Sequence, residues 1–371
     1  MRNITLIGNI FGMDGYSNHV RQFANALYKQ NKNINLVTQK PQGWEIGCPD
    51  NFFDMCSKKE TYNDGVSIAV MFPHQCPLYW HDCKDFICYL VWEGDSIPEF
   101  WLDYLFDEHI SQIWVPSTHV KDAILNTLPK RRGVLLRTGE EIKDKIRIVP
   151  EGVDPELFKI EKESHEKFTF IVNKGWRNNI NDRGGTQYAL QAFNEEFKDS
   201  EPVEMIVKIN PVYNGPDWNL HKELEKIGIT KINKNVKFNT EILQYKQLYK
   251  LYNAGDCFLF PTMGEAFGLT AIEAMSCGLP IIYTDFGGQL DFVPEANWNI
   301  PYKLVPANDG PMYEDVKWAK PDIEQLRLDM REAFNDKIVC DKVGLINREF
   351  VVKNFTWVHA ASKALKFIEE L

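Results

Sequence analysis

The 371-residue sequence has no long hydrophobic run. No window approaches the roughly 18 consecutive apolar residues of a membrane-spanning helix. The apolar start of the chain, residues 1–10, is too short for a secretory signal and has no cleavage-site pattern. These absences predict a cytoplasmic protein without a transmembrane segment.

The sequence also lacks C-x-x-C pairs, and its acidic residues (52) outnumber its basic ones (42). None of the 8 cysteines is spaced as C-x-x-C, so free thiols are expected. The formal net charge of -10 argues against nucleic-acid binding, although it allows a local basic pocket for a phosphate. The sequence also has no D-x-D triplet, no P-loop and no dinucleotide fingerprint. A metal-independent site is therefore expected, and ATPases and dinucleotide enzymes are disfavoured.

Short apolar runs alternate with amphipathic segments in both halves of the chain. Examples of the apolar runs are "NITLIGNI" (3–10), "VSIAVMF" (66–72) and "FTFIVNKG" (168–175). This alternation is typical of βαβ units and parallel sheets. The polar stretch "KIEKESHEK" (159–167) is the best candidate for a linker. The sequence therefore predicts an α/β protein with two Rossmann-like, doubly wound parallel-sheet domains that face a cleft.

The stretch "GEAFGLTAIEAMSCGLP" (264–280) carries two carboxylates in an otherwise apolar or uncharged context. It follows a predicted strand, and ligands of such folds bind where strands lead into helix N-termini. The first amides of this helix can bind a diphosphate; these amides belong to Phe267, Gly268, Leu269 and Thr270. Glu273 can reach back to a ribose diol, because helical side chains tilt toward the N-terminus. Glu265, in the loop, would then face the second sugar.

The alternative is that Glu273 lies on an exposed helix face and that Glu265 is an ordinary loop carboxylate. A lone charge in an apolar helix is costly unless it has a partner. The functional interpretation of both glutamates is therefore favoured.

Two arginines also fit a diphosphate. In "GWRNNINDRGGTQYALQAF" (175–193), Arg177 and Arg183 lie between a predicted strand and a predicted helix. Fixed cations there would stabilise the charge that develops on a leaving diphosphate. The alternative is two surface arginines in a polar loop.

These segments resemble the family-4-like retaining glycosyltransferases with the GT-B fold. "GEAFGLTAIEAMSCGLPIIYTDFGG" is similar to the E-x7-E signature of that family, and "IRIVPEGVDPELF" is similar to its inter-domain strand and turn. The resemblance implies an acceptor-side domain over residues 1–160 and a nucleotide-sugar domain over 161–345. It also implies that the C-terminal helix, 346–371, crosses back to the first domain.

The resemblance further implies roles for residues of the first half. "FGMDGYSNHV" (11–20) resembles a glycine-rich loop in which the Gly15 amide contacts the donor phosphate, with Asp14 in place of the usual first glycine. His74 would lie at a strand end against the donor sugar. In the second half, Arg183 stands where the family usually has lysine. The implied catalytic residues are Arg177, Arg183, Glu265 and His74.

The predicted activity is transfer of a sugar from a nucleoside-diphosphate sugar, UDP- or GDP-linked, with retention of anomeric configuration. No cofactor or metal is expected. The acceptor would be a carbohydrate, a lipid-linked molecule or a protein, and peripheral membrane contact is compatible with the sequence. The alternatives are a sugar phosphorylase, a nucleotide-sugar epimerase of the same fold, or a non-catalytic sugar-nucleotide-binding subunit.

Two further hypotheses concern the first half. Glu93, with Trp80, Trp92 and Trp101 nearby, could line an acceptor site, since aromatic faces are good platforms for sugars. The rival hypothesis is a zinc site in "HQCPLYWHDC" (74–83), with His and Cys side chains as ligands, although the spacing H-x-C-x4-H-x-C is not a common finger spacing.

Overall fold

The computed structural model describes residues 2–31, 33–38, 55, 64–130, 139–162, 165–174, 176, 182–210 and 219–371. The chain divides into two compact units. Unit 1 comprises Met1–Gly152, Asp309–Val316 and Phe355–Leu371, and unit 2 comprises Val153–Asn308 and Lys317–Asn354. The sequence predicted a boundary near residue 160 and a C-terminal helix, 346–371, that crosses back to the first domain. In the structure Phe355–Leu371 belongs to unit 1, and so does Asp309–Val316, which was not predicted.

The fold consists of alternating strands and helices. The strands are β1 (Ile4–Ile7), β2 (Ile34–Val37), β3 (Val66–Val70), β4 (Asp85–Tyr89), β5 (Ile110–Val115), β6 (Ile146–Ile148), β7 (Phe168–Asn173), β8 (Val203–Lys208), β9 (Val236–Asn239), β10 (Cys257–Phe260), β11 (Ile281–Thr284), β12 (Trp298–Ile300), β13 (Tyr302–Pro306) and β14 (Lys317–Pro321). The α-helices of the described residues include α1 (Gly15–Gln30), α2 (Trp101–Leu105), α3 (Thr118–Thr127), α4 (Gly139–Lys145), α5 (Thr186–Glu196), α6 (Leu220–Lys226), α7 (Leu248–Asn253), α8 (Leu269–Ser276), α9 (Ile323–Asn335), α10 (Lys337–Asn354) and α11 (Trp357–Glu369).

Each unit is built on a six-stranded parallel sheet, as the sequence predicted. The order in unit 1 is β2-β1-β3-β4-β5-β6, and the order in unit 2 is β12-β11-β10-β7-β8-β9. Strands β1 and β11 are buried along their whole length. Continuous apolar runs such as these are expected where helices cover both faces of a parallel sheet. Strands β13 and β14 form a separate antiparallel pair.

Helix ends follow the predicted capping chemistry. The Ser117 hydroxyl accepts a hydrogen bond from the Val120 amide at 3.4 Å and caps α3, because a hydroxyl at this position satisfies one of the unpaired amides of the first turn. The C-terminal helix α11 packs on α1 in unit 1, where Gln30 donates to the Val358 carbonyl at 3.1 Å. Among the described residues, no helix is long and apolar enough to cross a membrane.

Helix α9 of unit 2 contains a buried carboxyl group, Asp329, which is 4% exposed. One of its oxygens accepts a hydrogen bond from Gln325 at 2.7 Å. Burial, with a smaller contribution from the charge of Glu332, raises the pKa of Asp329 to about 6. The folded state therefore prefers the protonated form, and its stability falls as the pH rises from about 4 through about 6.

Replacing Asp329 by asparagine is expected to raise the free energy of unfolding at pH 7.5 by about 2 kcal/mol. The rise of the pKa from about 4 to about 6 corresponds to about 3 kcal/mol at most, and screening by solvent lowers this contribution. The gain should disappear near pH 4, where the native carboxyl group is already protonated. Urea unfolding at both pH values measures the difference. Glu349→Gln, on the exposed face of α10, serves as the control. An equal gain at both pH values would contradict the titration of Asp329.

Candidate functional site

Two loops of unit 2 meet at the carboxyl ends of neighbouring strands. The loop after β10 leads into α8, and the loop after β7 leads into α5. The Met263 amide donates to the Arg183 carbonyl at 2.8 Å. Gly185 has φ of 77°, and a Cβ at this position would lie 1.9 Å from the Pro261 carbonyl oxygen. Glycine is therefore required there, because only a residue without a side chain lets the two loops touch.

Glu265 lies between two cations at this junction. Its Oε1 accepts from Lys174 Nζ at 2.5 Å and from the Arg183 guanidinium at 3.2 Å. Arg183 also donates to the Gly264 carbonyl at 2.8 Å, and Lys174 lies over the Phe260 ring at 4.9 Å. Two cations face one carboxylate, so a net positive charge remains for an anionic ligand. Glu265 is buried and paired, which excludes the alternative of an ordinary loop carboxylate.

The N-terminus of α8 lies beside this cluster in sequence. Gly268 has φ of 110°, a conformation that disfavours residues with a side chain. The first α-helical hydrogen bonds run from the Ala271 and Ile272 amides to the Gly268 carbonyl at 3.0 and 3.1 Å. The amides of Leu269 and Thr270 thus precede the helical ladder, where an anion can accept from them.

Side chains at this terminus differ in what they offer a ligand. The Phe267 ring packs against Phe292 with centroids 4.9 Å apart and is 1% exposed. Phe267 therefore offers only its backbone. The Thr270 hydroxyl is buried and has no hydrogen-bond partner among the described residues. It is a polar group that a ligand oxygen could satisfy.

Glu273 is a buried carboxylate on α8. It is 2% exposed, which excludes the alternative of an exposed helix face. Its Oε2 accepts from the Tyr252 hydroxyl at 2.8 Å, and Asn173 donates to the same hydroxyl at 2.9 Å. Burial, followed by the Glu273 charge, raises the pKa of Tyr252 well above its ordinary value. Tyr252 therefore stays a hydrogen-bond donor that orients the carboxylate.

Gly15 and its loop lie in unit 1. Gly15 is the first residue of α1, and the preceding Asp14 caps that helix by accepting from the Ser17 amide at 2.8 Å. The Asp14 carboxylate places negative charge beside the Gly15 amide, which opposes the predicted phosphate contact at this position. His19, in the same helix, is buried, and its Nδ1 lies 2.7 Å from Glu151 Oε1.

His74 also lies in unit 1. It occupies the 3₁₀ helix Pro73–Leu78, beyond the end of β3 rather than at the strand end. Its ring is stacked on Trp101 with centroids 6.0 Å apart. Its Nδ1 is buried and has no hydrogen-bond partner among the described residues. The role of His74 at the donor sugar stays a prediction, as does that of Arg177, which lies outside the described residues.

The acceptor-lining hypothesis for the tryptophans is wrong. Trp92 and Trp101 are fully buried and Trp80 is 8% exposed, so these rings fill the core of unit 1 and are not platforms. Glu93 accepts a hydrogen bond from the Tyr313 hydroxyl at 2.6 Å.

The zinc hypothesis finds no support in the described part of the chain. There, no three His, Cys, Asp or Glu side chains are grouped to hold a metal ion. The residues of the predicted cluster have other contacts: His81 accepts from the Trp80 indole at 3.1 Å, and Cys76 is fully buried.

Two residues of the site were not predicted from the sequence, Lys174 and Tyr252. Lys174 directly follows a strand that ends at the same sheet edge as the glutamate loop, and that position was the available signal. The sequence around Tyr252 gave no signal of a functional role, because a tyrosine in an amphipathic helix is typical of core packing.

Residues 178–303 match the family model described as "Glycosyl transferases group 1". The probable sucrose-phosphate synthase of Thermosipho melanesiensis is 25% identical over 238 residues, which cover 62% of this chain and 48% of that protein. The chain therefore spans about half the length of this relative.

Solved structures share the fold along the whole chain. Sucrose-phosphate synthase from Thermosynechococcus elongatus gives a TM-score of 0.69 at 15% identity and covers 100% of this chain and 99% of its own. HepE of Anabaena, solved in complex with UDP and glucose, gives a TM-score of 0.64 at 13% identity and covers 100% of both chains. At these identities the likeness shows the fold alone.

Proposed function

We propose that this chain, a family-4-like glycosyltransferase, transfers a sugar from a nucleoside-diphosphate sugar with retention of anomeric configuration. Its family is shown by the group 1 model that residues 178–303 match, and its fold is the GT-B fold. The observation that carries this proposal is the cluster of Lys174, Arg183 and Glu265 next to the α8 N-terminus. Cations and helix amides together favour a diphosphate, and carboxylates favour sugar hydroxyls.

Each group of the site has a proposed role. Arg183, Lys174 and the amides of Leu269 and Thr270 bind the diphosphate. Glu265 orients the donor sugar. Glu273, held by Tyr252 at 2.8 Å, accepts from the ribose diol. Arg177, by the family resemblance, adds a further cation.

The proposed chemistry needs no covalent enzyme intermediate. The bond between the sugar C1 and the diphosphate oxygen breaks, and the charge on the leaving diphosphate is stabilised by Arg183, Lys174 and the helix amides. The acceptor oxygen forms the new bond to C1 on the same face of the sugar. Its proton goes to an oxygen of the departing diphosphate. The products are the glycoside and a nucleoside diphosphate.

Nucleotide binding is the first test. Among UDP, GDP, ADP and their sugars, one nucleoside diphosphate and its sugar are expected to raise the melting temperature by about 3 °C at saturation, because a ligand that binds only the folded state stabilises it by mass action. EDTA should not change this shift. If none of these nucleotides and sugars changed the melting temperature, and EDTA lowered it, the proposal would be contradicted.

Product analysis separates the alternatives. A glycosyltransferase releases free nucleoside diphosphate in proportion to the glycoside formed, and NMR of the anomeric proton reports retention. A phosphorylase would require phosphate and form a sugar 1-phosphate. An epimerase would form a new sugar nucleotide without free diphosphate. A binding subunit would shift the melting temperature without any product.

A further inference from the structure

Lys208 is a buried lysine outside the cluster described above. It is the last residue of β8 and is 4% exposed. Its Nζ donates to the Ile209 carbonyl at 2.9 Å. Among the described residues, the carboxylate that favours its charged form is Glu241, which acts through its charge and not through a hydrogen bond.

A lysine in this setting is costly for the apoprotein. An ammonium group has three donors, and a neutral carbonyl satisfies one of them. Burial lowers the pKa of Lys208 to about 8. The fold therefore holds a desolvated amine that an oxygen-bearing ligand would stabilise in its charged form.

The strand register places Lys208 on the ribose side of the site. Asn173 of β7 pairs with Lys208, and Lys208 pairs with Asn239 of β9, so the three share one face of the sheet. Asn173 bonds the Tyr252 hydroxyl, which in turn bonds Glu273. Lys208 thus lies one strand, about 4.8 Å, beyond the residue that connects to Glu273.

The order of the strands indicates which part of the donor reaches Lys208. In the sheet, β7 separates β8 from β10, whose following loop carries Glu265. The sugar and diphosphate groups are assigned to the β10 and β7 loops, and the ribose to Glu273. The base is joined to the ribose on the side away from the diphosphate, which is the direction of β8.

We propose that Lys208 donates a hydrogen bond to a ring carbonyl oxygen of the donor nucleobase and so selects uracil or guanine over adenine. This inference rests on the proposed function. At the ring edge where guanine presents a carbonyl oxygen, adenine presents an amino group, so the buried ammonium would face a second donor instead of an acceptor. A donor left unpaired in this way is a strong basis for rejection.

Two ion pairs lie on neighbouring elements among the described residues. Glu204 of β8 and Lys237 of β9 form an ion pair at 2.7 Å farther down the same face. On α6, which follows β8 in the chain, Glu223 is bound to Lys226 at 2.6 Å. Glu241, just past β9, is the group whose charge raises the pKa of Lys208.

Base binding should therefore be coupled to protonation of Lys208. Calorimetry of UDP and GDP binding at pH 8.5, in Bicine and in Tris, is expected to show uptake of up to about three quarters of a proton for the better ligand. At this pH a free amine with a pKa of about 8 is about one quarter charged, and the bound amine prefers the charged form. At pH 6.5 no uptake is expected. Lys208→Met should abolish the uptake at pH 8.5, and Lys231→Met, an exposed lysine, should keep it.

Base selectivity gives the second readout. The wild-type protein should bind UDP or GDP at least about tenfold more tightly than ADP, and Lys208→Met should reduce this ratio to less than about threefold by weakening the better ligand, as expected for loss of a charge-assisted hydrogen bond. Lys208→Arg, whose charge does not titrate, should lose the proton uptake and keep part of the selectivity.

The outcomes separate the two proposals. Binding of UDP or GDP without proton uptake, or with an unchanged ratio in Lys208→Met, would overturn the role of Lys208 and leave the glycosyltransferase proposal intact. If the wild-type protein preferred ADP, the role of Lys208 would also be overturned and the glycosyltransferase proposal would stand. Absence of binding to all three nucleotides would overturn both.

Discussion

Replacing Arg183 by alanine is expected to lower kcat about 100-fold or more and to change the donor KM by less than about fivefold, since losing one preorganised donor to a developing charge costs about 10²–10³ in rate. The guanidinium is fixed by Gly264 at 2.8 Å and Glu265 at 3.2 Å, so it is in place before the donor binds. Its side chain is 37% exposed and can face a ligand.

The measurement is the initial rate of nucleoside diphosphate release at varied donor concentration. Arg183→Lys keeps the charge and loses the planar fork, so an intermediate loss of about tenfold is expected. Arg327→Ala is the matched control. Arg327 lies on α9 and pairs with Glu196 at the end of α5 and with Glu324, and it does not belong to the loops of the site. An Arg183→Ala enzyme with unchanged kcat and a much higher KM would contradict a role in the chemical step.

Both sheets could be predicted from the sequence because parallel strands buried on both faces are continuous apolar runs. The helix with Glu273 could be predicted for the same reason, and its burial followed from the cost of a lone charge among apolar residues. The partner of Glu273 could not be predicted. Tyr252 lies on α7, and only the packing of α7 on α8 brings its hydroxyl to the carboxylate.

The ion cluster of Lys174, Arg183 and Glu265 shows a second limit of prediction from sequence. Lys174 and Glu265 are 91 residues apart, and they meet because β10 pairs directly with β7 in the sheet. Sequence patterns identify strands and the loops that follow them, but they do not give the spatial order of the strands. Arg183 and Glu265 could each be singled out, and their contact could not.

In unit 1 the roles of single residues were misinterpreted from their residue types. Asp14 was interpreted as a departure from a glycine-rich loop, whereas it caps α1 through the Ser17 amide at 2.8 Å. Trp92 and Trp101 were interpreted as sugar platforms, whereas both are fully buried. Aspartate is a common helix cap and tryptophan a common core residue, so residue type alone does not separate these roles from functional ones.

Replacing Glu273 by glutamine is expected to weaken nucleoside diphosphate binding about 10- to 100-fold and to leave kcat at saturating donor nearly unchanged. Hydrogen bonds to a charged group contribute about 1.5–3 kcal/mol, and the ribose hydroxyls would lose a charged acceptor that binds substrate and transition state alike. Glutamine keeps an oxygen for the Tyr252 hydroxyl, which is 2.8 Å from Glu273, so the helix packing is retained.

Calorimetry of nucleotide binding and the donor dependence of the rate test this prediction together. Tyr252→Phe is the matched variant: it keeps the carboxylate and removes its orienting donor, so a smaller loss of affinity, about fivefold, is expected. The 2′-deoxy nucleotide supplies the decisive comparison. If Glu273 binds the diol, removing the 2′-hydroxyl should cost the wild-type protein much more affinity than it costs Glu273→Gln. Equal losses in both proteins would show that Glu273 stabilises α8 and does not contact the ribose.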